Sequence, residues 1–165
     1  MKFLITPMSE SDARAIQSWA YEEPYDVYNW EAEYGVSEML DRRSPHYAVK
    51  DDQGTLIGFF SYGSSALVWD SGEPHLFCDN NTIAIGLGLR PDLTGKGLGL
   101  SFVTAGLEFA VQQFKPDYFR LFVLPFNTRA LRVYERAGFQ KTGTYMQHHT
   151  DGDREFIEMR KTIEP

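Results

Sequence analysis

The chain has 165 residues, the length of one domain over 1–165, and its 16 Lys and Arg against 23 Asp and Glu leave a formal charge of -7. That acidity argues against a nucleic-acid-binding surface, so no nucleic-acid partner is expected, and it suits either a cationic partner or plain solubility. One cysteine, Cys78, excludes an internal disulfide or a multi-cysteine metal site, and no apolar run is long enough to span a membrane, so a reducing, cytoplasmic setting with no metal and no membrane partner is expected.

Residues 3–6 read as a short edge strand. Ser9-Glu10-Ser11-Asp12 supplies capping residues for a helix that carries Ala13, Ile16, Trp19 and Ala20 at helical spacing. From Tyr21 to Trp30 the chain is aromatic and acidic, contains Pro24 and has no clean period, which predicts a loop. Within it Tyr25, Tyr28 and Trp30 either roof the core or face a ligand. A short helix over 37–42 follows. Strands over 46–50 and 56–62 are joined through Asp51-Asp52-Gln53-Gly54, a hairpin with glycine in its turn. The connection that starts at Gly63 passes Trp69, His75 and Asp79 before the next strand. It is longer than most connections and leaves room for a further strand within 66–69.

Ile83, Ile85, Leu87 and Leu89 alternate with Ala84, Gly86 and Gly88, so the next strand has one branched apolar face and one face nearly without side chains. A face so bare invites something to lie against its backbone. Arg90-Pro91-Asp92 ends the strand, and Thr94-Gly95-Lys96-Gly97-Leu98-Gly99 opens a long helix. Glycine at alternate positions lets successive N–H groups point into one concavity at a helix N-terminus, where they lack partners and the macrodipole favours an anion. Along that helix Leu98, Phe102, Ala105 and Phe109 lie on one side and Val103, Leu107, Ala110, Val111 and Phe114 on the other. Ser101, Thr104, Glu108 and Gln112 remain as a narrow wet edge, so the helix is expected to be covered on both sides. Residues 118–124 are apolar enough for a central strand.

Asn127 caps a last helix with Ala130, Leu131, Tyr134 and Ala137 on its buried stripe and Gly138 as its stop. Asn127 and Tyr134 share a face of that helix about 10 Å apart along the axis. Strands over 139–147 and 154–163 form a final hairpin across Thr150-Asp151-Gly152-Asp153. His148 and His149 are strand neighbours on opposite faces and cannot chelate one metal together. The alternation of element types gives an α/β or α+β sandwich.

Two familiar phosphate motifs are absent. A Walker loop needs a glycine where Arg90 stands and Ser or Thr where Gly97 stands. The dinucleotide fingerprint fails because the glycines run GxGxG, and the nearest acidic residue about 20 positions on, Asp117, precedes the next strand instead of ending it. The stretch from Thr94 to Gly99 instead resembles the acetyl-coenzyme A site of the GNAT superfamily. That pattern is Arg or Gln, two residues, Gly, one residue, then Gly or Ala; Gly97 and Gly99 match it, and the chain departs from it at the first position, where Thr94 stands in place of a long polar side chain. The family's second signature, an Asn, a Tyr seven residues on, then Gly-Phe, is similar to Asn127, Tyr134 and Gly138-Phe139.

The resemblance implies an α/β (α+β) fold with a mixed, mostly antiparallel sheet of about seven strands and about four flanking helices. Its sheet would be splayed at the centre, where the fourth and fifth strands part. It implies an N-acetyltransferase that moves an acetyl group from the cosubstrate acetyl-CoA to a primary amine, a small cationic amine or a peptide N-terminus, by direct attack in a ternary complex. Leu87, Gly88 and Leu89 would pair with the pantetheine, and Thr94, Gly95, Lys96, Gly97, Leu98 and Gly99 would hold the pyrophosphate. Asn127 would hydrogen-bond the pantetheine arm, and Tyr134 would protonate the departing sulfur.

Acceptor contacts are expected from Glu22, Tyr25, Tyr28, Trp30, His75 and Asp79. The central strand offers no carboxylate as general base, which leaves Glu22, Glu23, Asp79, His75 or a water. The sequence leaves the oligomeric state open, a homodimer included. Two other classes compete: a non-catalytic acyl-CoA sensor, against which Tyr134 argues, and a nucleotide-binding regulatory module, which lacks residues for base or metal recognition.

Overall fold

The computed structural model describes residues 2–30, 35–149 and 152–164. Among them seven strands form one sheet: β1 (Leu4–Pro7), β2 (His46–Lys50), β3 (Leu56–Tyr62), β4 (Thr82–Leu89), β5 (Tyr118–Val123), β6 (Gln140–His149) and β7 (Gly152–Thr162). Their spatial order is β1-β2-β3-β4-β5-β7-β6. Every neighbouring pair is antiparallel except β4 and β5. A parallel pair needs a long crossover, and the helix α3 (Gly99–Phe114) supplies it. The other helices are α1 (Glu10–Gln17), α2 (Gly35–Leu40) and α4 (Thr128–Arg136). No helix among the described residues is long and apolar enough to cross a membrane.

β4 and β5 pair only through Thr82–Tyr118, Ile83–Phe119 and Ala84–Arg120. Beyond that point they part, which opens the sheet at its centre as the resemblance implied.

The seat of α3 explains part of the aromatic content. Ser101, Thr104, Glu108 and Gln112 are exposed, as the apolar pattern requires, while Phe102, Val103, Leu107 and Ala110 are buried. Gly106, which no apolar pattern flags, is buried too. A Cβ there would run into the Phe60 ring, and one on Gly58 would come within 2.6 Å of Phe102. The Tyr62 hydroxyl donates to the Gly106 carbonyl at 2.7 Å, and the Phe60 and Phe102 rings lie 4.5 Å apart. Burying each such aromatic contributes roughly 1.5–3 kcal/mol. The helix therefore rides close on β3 and carries its N-terminal turn in a set position.

The structure corrects several sequence expectations. α1 ends at Gln17, because the Ser18 hydroxyl turns back to donate to the Ala15 carbonyl at 2.6 Å; Trp19 and Ala20 lie beyond the helix. α2 ends two residues earlier than expected, where the Asp41 carboxylate accepts from the Arg43 N–H at 3.0 Å and starts a turn. Residues 66–69 form no strand. Ser64–Ala66 is a 3-10 turn, and the Val68 carbonyl accepts from Gln147 Nε2 at 2.9 Å, outside any ladder. Of the last hairpin turn, Thr150 and Asp151 lie outside the described residues. At its flanks His148 Nδ1 and Asp153 Oδ1 are 3.0 Å apart.

Candidate active site

Where β4 and β5 part, a cleft of about 1030 Å³ opens. Its polar wall follows from the parity of a β-strand. The Ala84 carbonyl accepts from the Gly63 N–H at 2.8 Å and the Arg90 N–H donates to the Ile57 carbonyl at 2.8 Å, so the even-numbered residues of β4 spend their backbone groups on β3. The odd-numbered Leu87 and Leu89 therefore turn theirs toward the cleft with no partner strand beside them, together with the Ile85 carbonyl, because a parallel ladder that ends at Ala84–Arg120 uses the Ile85 N–H. Leu87 and Leu89 stand where pantetheine pairing was expected. The backbone of Gly88 points the other way, to Phe59, and the Ile85 carbonyl takes its place on the cleft edge.

The face of β4 bared by glycine does not stand open either. A Cβ on Gly88 would come within 2.5 Å of the Phe59 ring, and one on Gly86 would meet the Ser61 hydroxyl. What lies against that backbone is the side chains of β3. Gly86 and Gly88 keep partial exposure in the cleft wall, while the backbone groups of β4 left without a strand partner are on its edge.

At the end of β4 the chain turns through Pro91–Leu93 into the glycine run. Arg90 holds this turn by binding Asp92 at 2.6 Å, which keeps the Asp92 carboxyl below its usual range. The Thr94 hydroxyl donates to the Pro91 carbonyl at 2.7 Å and so is spent inside the turn. The three glycines serve two purposes. Gly95 and Gly97 adopt φ of +72° and +80°, a region that side chains rarely enter. Gly99 instead permits close approach of two helices, since a Cβ there would sit 2.9 Å from the Val133 side chain.

Leu98, at the N-cap of α3, offers no side-chain acceptor, so the first N–H groups of the helix stay free for an anion. Nothing lies within 4 Å of where a Cβ on Gly97 would stand. The concavity can thus take a phosphate against backbone donors, which is the fit that a pyrophosphate group needs. Lys96 is exposed beside the turn and does not line the cleft.

The opposite wall is α4. Asn127 Oδ1 accepts from the Ala130 N–H at 3.2 Å and caps the helix, while Nδ2 donates to the Tyr28 hydroxyl at 3.2 Å. Tyr134, two turns on, lines the cleft with its ring edge-on to Phe139, 6.1 Å between centroids. Burial first, and the nearby Tyr28 second, push its phenol well above 10, so it holds its proton at neutral pH.

Residues 20–30 cross the mouth between these walls. The Tyr21 hydroxyl donates to the Leu89 carbonyl at 2.7 Å, and burial raises its phenol to about 12. Tyr25 and Tyr28 pack on Phe126, and the Arg129 guanidinium lies 4.6 Å over the Tyr25 ring. Glu22, Glu23, Tyr25, Tyr28 and Trp30 all line the cleft.

His75 and Asp79 do not line it. The His75 N–H donates to the Ser64 hydroxyl at 3.0 Å within its own connection, and Asp79 begins an exposed turn before β4. Cleft residues that no sequence motif marked include Tyr21, Phe59 and Arg129; for Arg129, its place at the N-terminus of α4, two residues after Asn127, was the available signal. Among the described residues no three His, Cys, Asp or Glu side chains gather as a metal ion would require.

A family model described as an acetyltransferase (GNAT) domain matches residues 2–140. The spermidine N(1)-acetyltransferase of Vibrio cholerae is 24% identical over 130 residues, which are 79% of this chain and 69% of that protein. A solved chimera of the spermidine N-acetyltransferase SpeG from Vibrio cholerae and hSSAT superposes with a TM-score of 0.75 at 17% identity, covering 98% of this chain and 96% of that one. AAC(6')-Ib, solved with ribostamycin and coenzyme A, gives 0.72 at 23% identity, covering 98% and 94%. At such identities the structures share the fold.

Proposed function

The chain belongs to the GNAT acetyltransferase family, and on that premise we propose that it transfers an acetyl group from acetyl-CoA to a primary amine, by direct attack in a ternary complex. The observation that carries this is the β4 edge from the Ile85 carbonyl through Leu87 and Leu89, which has no strand beside it and leads straight to the positive-φ glycines Gly95 and Gly97. An extended pantetheine arm would pair with that edge as a strand does, and its pyrophosphate would meet the free N–H groups at the start of α3. Thr94 has its hydroxyl turned inward, so the long cationic side chain at this turn is Arg129, from α4. Lys96 adds charge at the rim.

In the transfer, the acceptor nitrogen bonds to the acetyl carbon and the carbon–sulfur bond breaks. The Leu89 N–H polarises the carbonyl oxygen, and Tyr134 gives its proton to the departing sulfur. Burial keeps the Tyr134 phenol protonated until the thiolate forms beside it. Glu22 or Glu23, directly or through water, takes the proton that the amine loses, and solvent restores Tyr134. His75 and Asp79, away from the cleft, are dropped from these roles.

The carboxylates and rings of 20–30 suit a small cationic acceptor. Similarity to an enzyme named for spermidine supports the same choice. The test is thermal unfolding with acetyl-CoA, ATP or NAD, followed by thiol release against a panel of amines and peptides. A ligand at a hundredfold excess over its dissociation constant stabilises by about 2.7 kcal/mol. Equal shifts from ATP and acetyl-CoA would remove the cofactor assignment, and no thiol release with any amine would remove catalysis.

A further inference from the structure

β4 and β5 make their last rung at Ala84–Arg120, and the next residues on the same face of the sheet are Gly86 and Phe122. Backbone groups beyond that rung would gain hydrogen bonds if the two strands closed on each other. Something must hold them apart, and on this face the chain itself crosses the gap. Ala66 seats on β4, where a Cβ on Gly86 would stand 3.4 Å from the Ala66 Cβ. Trp69 seats on β5, its ring edge-on to Phe122 with 5.3 Å between centroids. Between them Leu67 is extended, with φ -78° and ψ 153°. Three extended residues reach about 10 Å, roughly twice the 4.8 Å or so between paired strands.

Both ends of this crossing are fixed. At its root the Ser64 N–H donates to the His75 carbonyl at 2.8 Å, and the Ser64 hydroxyl accepts from the His75 N–H at 3.0 Å. At the far end Tyr145 of β6 lies 4.9 Å from the Trp69 ring between centroids, and Gln147 of the same strand donates to the Val68 carbonyl at 2.9 Å. The Arg120 guanidinium stands 5.1 Å from both the Trp69 and the Phe122 ring. Its Nη2 donates to Glu158 of β7, while its Nε is buried with no hydrogen-bond partner, so the two rings take the place of an acceptor.

Phe122 also lines the cleft. From these contacts we infer that residues 66–69 are a strap that fixes the width of the slot at the first unmade rung, with Trp69 as a positioning residue that acts through Phe122. The strap keeps β4 and β5 apart before any ligand arrives, so an arm that lies along Leu87 finds the edge free. It acts on the arm and not on the phosphate turn, which is built from the start of α3 and from α4. This rests on the proposed acetyl-CoA site.

The test is affinity for acetyl-CoA and, by competition, for the phosphoadenosine diphosphate half of coenzyme A, which lacks the arm. Both are measured on the natural protein, Trp69→Leu and Trp69→Phe, with melting temperatures on all three. A slot that stands open a tenth of the time binds about tenfold more weakly, whereas a ligand with equal affinity for both states is unaffected. Trp69→Leu should therefore lose acetyl-CoA affinity by about tenfold or more and keep its affinity for the nucleotide half within about twofold. Trp69→Phe, which restores a ring beside Phe122, should recover most of that loss. If Trp69→Leu melts below the assay temperature, Gln147→Leu, which frees only the Val68 carbonyl, takes its place with the same split expected.

Unchanged acetyl-CoA affinity overturns the proposal. Equal losses for the two ligands overturn it as well, since they mark general loosening, and so does a Trp69→Phe variant as weak as Trp69→Leu. Absence of acetyl-CoA binding by the natural protein is a different failure, which removes the cofactor site and this inference with it.

Discussion

Arg129 and Gly95 meet at the mouth of the cleft: a Cβ on Gly95 would come within 2.9 Å of Arg129 Nη1, while the guanidinium lies 4.6 Å over the Tyr25 ring. A cation fixed beside free backbone N–H groups is what a phosphate site needs, and on the proposed reading Arg129 supplies it. A charge-assisted hydrogen bond contributes about 1.5–3 kcal/mol, so Arg129→Gln should weaken acetyl-CoA binding by roughly 10- to 100-fold. The loss should shrink at high salt, and binding of a pantetheine thioester without phosphates should not change. Calorimetric titration of the two ligands checks both points. Equal losses for both would place Arg129 elsewhere.

Gly97 separates shape from charge. Nothing crowds its Cβ position, so the cost of a side chain there is the positive φ alone, which Asn and Asp bear better than other residues. Gly97→Asn should therefore fold normally and lose some acetyl-CoA binding, because its side chain enters the space assigned to the phosphate. Gly97→Asp, nearly the same shape with a negative charge aimed at the phosphates, should lose binding by about 10-fold or more. Circular dichroism and titration on the pair decide the matter, and equal binding by the two variants would refute the assignment.

Tyr134→Phe keeps the ring on Phe139 and removes only the hydroxyl. If that hydroxyl protonates the departing sulfur, turnover should fall by about 10²- to 10⁴-fold with acetyl-CoA affinity nearly constant. A packing role gives the opposite pattern, a lower melting temperature with the rate intact. Turnover, affinity and melting measured on one preparation separate these outcomes.

His46 makes the fold acid-sensitive. Its ring is buried between Trp30 and Phe59, Nδ1 has no hydrogen-bond partner, and burial pushes its pKa down to about 4, a contact with the Ser44 backbone opposing only weakly. An unfolded histidine titrates near 6.5. Between those values the unfolded chain binds the extra proton, so stability is full above about 6.5 and is lost as pH falls toward 4, by about 3 kcal/mol in all. Urea unfolding at pH 7 and pH 4.5 should show that loss, and His46→Phe should reduce it. The same slope in the variant would assign the acid sensitivity to other groups.

Much of this protein is written locally. The phosphate turn was legible because positive φ at Gly95 and Gly97, like the cap at Asn127, is a property of a few consecutive residues. The stripe of α3 was legible because burial repeats with the helical period. The order of strands and helices followed from the same short-range signals, and motif spacing placed Tyr134 with Asn127 on one helix face.

What the tertiary structure decided are the meetings between distant residues. Local φ and periodicity do not encode the path of a loop or the register between strands. Hence the aromatic segment 21–30, which has no period, gave no sign that Tyr21 would bind Leu89 or that Tyr25 would hold Arg129. Strand parity assigned Ile85, and not Gly88, to the cleft edge, and it let Phe59 cover the glycine face. Helix packing made Gly99 and Gly106 points of close approach where composition showed only glycine. His75 and Asp79, plausible by residue type, fell outside the cleft because their connection folds back on Ser64 and the start of β4. Residue chemistry was readable along the chain, but which side chains face one another across the cleft depended on how β4 and β5 part after Ala84 and Arg120.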